Sequence, residues 1–163
     1  MAAADSRQSS AGALTPILLG GLIAGILDIS YACIYSYIRR GTKPWVILQS
    51  VASGALGQSA FTGGAKTAAL GLAFHFLIAL IAATVYYFAS RFISFMITHA
   101  VISGIVFGMC VYLVMNLVVL PLSRIPVKVP LWAYPWPSLI GGSLIHMFGI
   151  GLPIALVVRK FSK

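Results

Sequence analysis

Hydrophobic residues are concentrated in four long runs, which are separated by short polar or proline-rich segments. The runs cover residues 14–38, 67–89, 97–120 and 136–158. Each run is long enough to cross the hydrocarbon core of a bilayer, which needs about 20 helical residues. The pattern predicts an all-α polytopic membrane protein. A polar amino-terminal tail (residues 1–13) precedes a single four-helix transmembrane bundle (residues 14–160).

Residues 44–62 form a more polar segment between the first and second runs. Six Gln, Ser and Thr side chains interrupt its sequence, PWVILQSVASGALGQSAFT. On a helix, Gln49, Ser53 and Gly57 would share one face, opposite a mostly apolar face. We therefore predict an interfacial or re-entrant helix here. A fifth crossing is the alternative, and hydropathy favours four.

Residues 121–135, which read PLSRIPVKVPLWAYP, form the connection before the fourth run. Four prolines in this stretch and a fifth at Pro137 exclude a regular helix, because each proline removes a donor and fixes its own φ. Trp132, Tyr134 and Trp136 are typical of the headgroup layer. The segment predicts a stiff interfacial loop, with a lid over a cavity as the alternative.

Composition excludes several classes of function. Charged residues make up 8% of the chain, and Asp5 and Asp28 are its only acidic residues. A site with paired carboxylates is therefore excluded, and we predict no catalytic residues and no metal site. The net charge of +9 comes from basic residues at the ends of the runs. This arrangement favours contact with the headgroups of a lipid bilayer and argues against nucleic acid.

Three ionisable side chains lie near the middle of a run, namely Asp28, His75 and His146. Such residues are costly in hydrocarbon and commonly mark a functional site. Their similar depth predicts an intramembrane polar site. Its supporting hydrogen-bonding residues would be Asn116, Tyr35 and Tyr112. The structural alternative is that Asp28 accepts hydrogen bonds from hydroxyl groups, and that each histidine only packs against a neighbouring helix.

Each run also carries a stripe of small residues at helical spacing. We expect its glycines to mark the faces where helices pack, because lipid gives helices no hydrophobic reason to associate. These glycines are Gly21, Gly25, Gly71, Gly104, Gly108, Gly142 and Gly149.

Three classes of function remain open. The first is the binding or movement of protons or a small solute through the intramembrane polar site. The second is a non-catalytic scaffold or accessory subunit, in which glycine faces dock a homo-oligomer or another membrane partner. Substitutions such as Gly25→Leu or Gly108→Leu should then be the most damaging. The third is a b-type haem protein, with His75 and His146 as axial ligands and space beside Gly71, Gly142 and Gly149.

Three stretches of the chain resemble a family of small bacterial inner-membrane proteins, the YagU-like family. These stretches are LQSVASGALGQSAFTGGAKTAALGLAFHFLIALIAATVYYFASR, VYLVMNLVVLPLSR and LIHMFGIGLPIAL. The resemblance extends from about residue 17 to residue 159. It implies a multi-pass protein with four spans in the bacterial cytoplasmic membrane, and it supplies no catalytic residues.

Overall fold

The protein is an all-helical bundle with four membrane-length helices, as predicted. In a computed structural model, the backbone of residues 2–162 and the side chains of residues 12–162 are described. Within them, four helices are long and apolar enough to cross a membrane, namely Gly12–Arg40, Gly64–Phe92, Ala100–Leu122 and Trp136–Lys160. We call these the first to fourth spans. Their bounds differ from the predicted ones by at most three residues, and the chain is a multi-pass membrane protein.

The spans and the connections between them comprise, in the described residues, eight α-helices and four short segments of other helical type. The α-helices are α1 (Ala2–Arg40), α2 (Pro44–Leu56), α3 (Gly64–Phe92), α4 (Phe95–Thr98), α5 (Ala100–Val114), α6 (Leu120–Leu122), α7 (Trp136–Leu144) and α8 (Leu152–Lys160). The other segments are two 3₁₀ turns, Gly57–Thr62 and Leu131–Ala133, and two π-helical segments, Met115–Val119 and Ile145–Gly151. The predicted polar tail is continuous with α1, and the side chains of Asp5 and Arg7 lie outside the described residues.

Sequential spans run antiparallel, so each end of the bundle gathers the same set of connections. Gly21 lies against Leu80 and Gly25 against Phe76, so the residue numbers rise along α1 as they fall along α3 and the two helices are antiparallel. The fourth span is antiparallel to α1 in the same way, because Gly20 lies against Ile154. We call the end with Arg40, Gly64, Leu122 and Trp136 the loop end, and the end with Gly12, Phe92, Ala100 and Lys160 the tail end.

Helix α2 connects the first two spans at the loop end. Its 13 residues would extend about 20 Å, which is too short to cross a bilayer. Gln49 and Ser53 are buried, and the Gln49 side-chain amide donates to the carbonyl of Gly64 at 3.1 Å. Trp45 and Leu56 are exposed. The polar face of α2 therefore packs on the protein, and its apolar face is turned outwards.

The two π-helical segments each end two residues before a proline, namely Pro121 and Pro153. A proline inside a helix lacks the backbone donor, and its ring clashes with the carbonyl of the residue four positions earlier. In membrane helices this conflict is relieved by local widening to π geometry. The prolines thus account for the irregular middle of the fourth span and the irregular end of the third.

The tail half of the bundle contains the apolar core. The buried cluster comprises Ala24, Ala83, Tyr86, Ala100, Ile150, Ile154, Ala155 and Val158. The Tyr86 hydroxyl donates to the carbonyl of Met96 at 2.9 Å and to the Ser103 hydroxyl at 3.3 Å. Every span contributes to this cluster, so this half of the bundle is tightly closed.

Candidate intramembrane polar site

Asp28 lies at the boundary between the closed tail half and the loop half. It occupies the face of α1 between Gly25, which contacts the second span, and Tyr31, which contacts the fourth. At 100° per residue, this position points Asp28 towards the axis of the bundle. Its side chain is partly buried. A carboxylate is thus held inside the bundle at mid-depth.

The two histidines lie within about one helical turn of Asp28 in depth. Leu27 packs beside Gly149, and this contact places Asp28 within one helical turn of His146 in depth. His75 bonds the carbonyl of Gly25, which lies one turn before Asp28 on α1. The equal depth expected from the sequence is therefore present in the structure. However, no hydrogen bond or ion pair joins either histidine to Asp28 among the described side chains, because each ring bonds to a backbone carbonyl.

His75 links the second span to the first by a hydrogen bond. Its Nε2 donates to the carbonyl oxygen of Gly25 at 2.9 Å, since a carbonyl can only accept. The ring also lies edge-on to Phe76, which fills the space beside Gly25. A cross-helix bond of this kind contributes about 0.6 kcal/mol on average. His75 thus has a structural partner of its own, on the side of α1 that faces the second span.

His146 and Asn116 occupy equivalent places in the two π-helical segments. Each is the second residue of its segment. The Asn116 side-chain amide donates to the carbonyl of Tyr112 at 2.8 Å, and His146 Nδ1 donates to the carbonyl of Gly142 at 2.8 Å. In both cases a side chain bonds the carbonyl four residues earlier, where the α-helical backbone bond is disturbed. In this tautomer His146 Nε2 is a hydrogen-bond acceptor.

Two tyrosines flank the fourth span at the adjacent glycines Gly141 and Gly142. The Tyr31 hydroxyl of the first span lies against Gly141, where a Cβ atom would overlap it. The Tyr112 ring of the third span lies against Gly142 and edge-on to the His146 ring, with centroids 5.2 Å apart. The pair of glycines therefore makes room for aromatic hydroxyl side chains from both sides.

The hydroxyl groups continue from this level towards the loop end. Tyr35 stacks on Tyr31 with ring centroids 5.5 Å apart, and its hydroxyl shares a 3.0 Å hydrogen bond with Ser138. We define the polar cluster as the side chains that lie between Asp28 and the loop end, namely Asp28, Tyr31, Tyr35, Tyr112, Asn116, Ser138 and His146. Tyr31 and Ser138 were not among the residues predicted from the sequence, because tyrosine and serine are common in membrane helices.

A cavity of about 360 Å³ lies beyond the polar cluster, under the proline-rich loop. Asn116, Lys128 and Tyr134 contribute to its lining. Lys128 Nζ donates to the carbonyl of Pro121 at 2.6 Å, which ties the loop back to the end of the third span. The loop thus covers a cavity that borders the polar cluster at the loop end.

The geometry does not fit a metal ion or a haem group. Among the described residues, no three His, Cys or Asp side chains come close enough to hold a metal ion. For haem, His75 Nε2 already bonds Gly25, and the space beside the three predicted glycines is filled. Gly71 lies against the backbone of Leu48, Gly142 against Tyr112 and Gly149 against Leu27. The two histidines therefore do not fit as the axial ligands of one haem group.

The predicted packing glycines all lie in tight contacts within the chain. Gly21 and Gly25 contact the second span, Gly71 contacts α2, and Gly104 contacts Gly151 of the fourth span. At Gly108 a Cβ atom would overlap the carbonyl oxygen of His146. Gly151 makes an equally close contact, with Gly104 and Gly108, and was not singled out from the sequence. These glycine faces are therefore occupied by the chain's own helices.

Comparison with known proteins yields no match: no protein-family model fits the chain, and neither a curated protein nor a solved structure is significantly similar to it.

Proposed function

We propose that this membrane protein takes up and releases protons at Asp28, through the polar cluster and from the loop end. The observation that carries the proposal is the asymmetric lining of the bundle. Hydroxyl, amide and imidazole groups extend from Asp28 towards the loop end, whereas the buried cluster closes the tail half. An ionisable group at mid-depth is costly unless it is used or paired.

A proton suits this site better than a metal cation does. Protons can pass along hydroxyl groups, imidazole and water, and a single carboxylate can accept them. A metal ion such as Ca²⁺ needs six to eight oxygen ligands. An uncharged small solute is the remaining ligand consistent with the polar cluster.

Movement across the membrane requires the tail half to open. The π-helical segment of the fourth span packs against α5 of the third span at the level of Asp28, where Tyr112 of α5 contacts His146. Segments of this type are common at functional sites and mark weak points in a helix. Protonation of Asp28 would remove a charge from this level of the bundle and so favour a change in helix packing there.

The experiment that tests the proposal is proton flux in reconstituted vesicles. Purified protein is incorporated into liposomes with an internal pH-sensitive dye, and a potassium gradient with valinomycin sets the membrane potential. We expect wild-type protein to acidify or alkalinise the lumen according to the potential. Asp28→Asn should slow this flux by about a hundredfold. Asp5→Asn is the matched control, because it makes the same chemical change in the amino-terminal tail.

Two results would contradict the proposal. One is wild-type flux that Asp28→Asn leaves unchanged. The other is no flux together with no protonated carboxyl signal in infrared difference spectra between acidic and neutral pH. If wild type shows that signal and Asp28→Asn abolishes it without any flux, Asp28 binds protons and does not pass them across.

The alternative function is a non-catalytic scaffold or accessory subunit that associates with itself or with another membrane protein. A partner helix would bind in the apolar groove between the second and third spans, although the bulky side chains that line this groove favour a lipid chain over a helix. Gly25→Leu and Gly108→Leu do not distinguish the two functions, because both glycines pack inside the chain. Cross-linking in native membranes distinguishes them. A scaffold should yield a cross-linked complex of defined size, and a protein that takes up protons without a partner should not.

We also propose that the chain is related to the YagU-like proteins and lies in the bacterial cytoplasmic membrane. The three stretches that resemble this family and the four spans support the proposal. Fractionation of a bacterium with two membranes provides the test. We expect the protein in the inner-membrane fraction, and its recovery in the outer-membrane or soluble fraction would contradict this.

A further inference from the structure

A concave apolar groove runs along the side of the bundle between the second and third spans. It consists of two cavities of about 460 and 410 Å³. Both are lined by Ile78, Met115 and Val119, so they form one continuous groove. The groove is separate from the polar cluster, none of whose residues lines it.

The groove exists because the two spans separate towards the loop end. At the tail end they touch, with the Tyr86 and Phe107 rings edge to edge at 5.0 Å. At the loop end α2 lies between them, and its Gly54 carbonyl accepts a 2.8 Å hydrogen bond from the backbone N–H of Arg124. The groove thus extends from the middle of the bundle to the loop-end surface, where α2 forms part of its wall.

The groove opens sideways, towards the hydrocarbon of the bilayer. Ile81 and Val85 on one side are each 54% exposed, and Val114 on the other is 52% exposed. An empty groove would leave these side chains without dispersion contacts, which costs free energy. Hydrocarbon from the surroundings must therefore fill it.

A lipid chain fits this lining better than a transmembrane helix does. Helices associate in membranes through small residues that allow backbones to approach closely. The middle of the groove is instead lined mostly by bulky side chains, namely Ile78, Ile81, Val85, Phe107, Val111, Val114, Met115 and Val119. The glycines in the interior of the second and third spans, Gly71, Gly104 and Gly108, face other parts of the chain. A flexible acyl chain can follow such an irregular surface.

The loop-end mouth of the groove is lined in part by two serines, and an exposed arginine adjoins this lining in the chain. Ser50 and Ser123 line it, and Arg124 lies between the lining residues Ser123 and Ile125 with an exposed side chain. Arginine binds phosphate oxygens with its planar fork of donors. We propose that the groove holds an acyl chain of an anionic phospholipid, whose phosphate is bound by Arg124.

The test measures lipid affinity in detergent by thermal shift and by native mass spectrometry. Phosphatidylglycerol, phosphatidylcholine with the same chains, and chain-free glycerol phosphate are the probes. We expect phosphatidylglycerol to bind about fivefold more tightly than phosphatidylcholine, as one basic residue near the surface would provide. Glycerol phosphate should give no shift, because it lacks the chain that fills the groove.

Two pairs of variants locate the site. Cys110→Trp fills the groove, and Ile102→Trp places the same side chain on the exposed face of the same span. The first should abolish binding of both lipids, and the second should not. Arg124→Gln should remove the preference for phosphatidylglycerol, whereas Arg39→Gln should keep it.

If Cys110→Trp does not fold, alkylation of the exposed Cys110 in a Cys33→Ala protein gives the same information. Bound phosphatidylglycerol should then slow the alkylation of Cys110.

Several outcomes would overturn the proposal. A shift with glycerol phosphate alone would indicate a free-anion site. If Ile102→Trp lost as much lipid binding as Cys110→Trp, the lipid would be exchanging with detergent over the whole apolar surface. If Arg39→Gln lost the preference for phosphatidylglycerol as Arg124→Gln does, the preference would come from diffuse attraction to basic residues. Unprotected Cys110 in the alkylation experiment would show an empty groove. If Cys110→Trp converts a dimer into a monomer and leaves lipid binding intact, the groove is an interface between two copies.

Discussion

The tail half and the loop half of the bundle are built from the same four spans, yet the polar side chains at their centres differ in burial. In the tail half, the Tyr86 hydroxyl is fully buried and bonds the carbonyl of Met96 and the hydroxyl of Ser103. In the loop half, Asp28, Tyr31 and Tyr35 are only partly buried. The tail half encloses the hydroxyl group that fixes its packing. In the loop half Gln49 and Ser53 of α2 are likewise buried, but the side chains of Asp28, Tyr31 and Tyr35 remain partly accessible.

The difference follows from which residues lie between the helices. Close contacts such as Gly104 with Gly151 let the tail-half backbones approach. In the loop half, Tyr31 and Tyr112 insert on either side of the fourth span, at Gly141 and Gly142. Large amphipathic side chains in place of glycine and alanine hold the helices around a polar interior. Asp28 lies at the boundary between the closely packed tail half and the tyrosine-lined loop half.

The largest expected effect comes from Gly108→Leu, which should destroy both halves. A side chain at this position overlaps the carbonyl of His146. Because the opposing atom belongs to a backbone, it cannot move aside cheaply, and we expect a loss of about 3 kcal/mol or more. The yield of monodisperse protein and its Tm provide the readout. Val106→Leu, on the exposed face of the same span, should be nearly neutral. Equal tolerance of both variants would show that the third and fourth spans are not packed as described.

Tyr86→Phe should weaken the tail half alone. It removes the buried hydroxyl that bonds Met96 and Ser103, which should lower the free energy of unfolding by about 1–2 kcal/mol. Denaturation in detergent measures this loss, and proton flux in vesicles should be unchanged. If Tyr86→Phe reduced the proton flux as strongly as Asp28→Asn does, the tail half would be part of the pathway.

Tyr35→Phe should give the opposite result in the loop half. Its hydrogen bond to Ser138 is partly exposed to the loop end, so the loss of stability should be about 0.6 kcal/mol. Proton uptake should slow severalfold, because a hydroxyl is removed from the route to Asp28. Denaturation and vesicle flux on the same preparation separate the two effects. If stability falls and flux does not, Tyr35 serves packing only.

His75→Leu should have the smallest effect. It loses the bond to the Gly25 carbonyl, worth about 0.6 kcal/mol, and leaves the polar cluster intact. His75→Gln keeps a donor and should be closer to wild type, which denaturation of both variants would reveal. Loss of flux in both variants would instead return His75 to the intramembrane polar site predicted from the sequence.

The sequence was sufficient to predict the fold, because membrane-spanning helices are recognised from their length and hydropathy. The third span begins at Ala100 rather than residue 97, since Phe95–Thr98 forms a separate turn. Hydropathy does not detect this break, because both sides of it are equally apolar. The π-helical segments were also missed. Pro121 and Pro153 inside apolar runs were the available signal for them.

The candidate site was less predictable than the fold. Depth along a span follows from counting residues, so the common level of Asp28, His75 and His146 could be anticipated. Hydrogen-bond partners depend on rotation about each helix axis, which apolar sequences specify weakly. The structure turns His75 to Gly25 and His146 to Gly142, and so no ion pair links them to Asp28 among the described residues.

The most direct test of the central claim is the side from which Asp28 can be reached by water. Asp28→Cys, in a protein with Cys33 and Cys110 replaced by alanine, is treated with a charged, membrane-impermeant thiol reagent in sealed vesicles of either orientation. Lys128→Cys marks the loop end, Ser94→Cys marks the tail end, and Ala24→Cys, one turn away in the buried cluster, is the unreactive control. We expect Asp28→Cys to react from the same side as Lys128→Cys and not from the side of Ser94→Cys. Reaction from the tail end, or none from either side, would contradict one-sided access to Asp28.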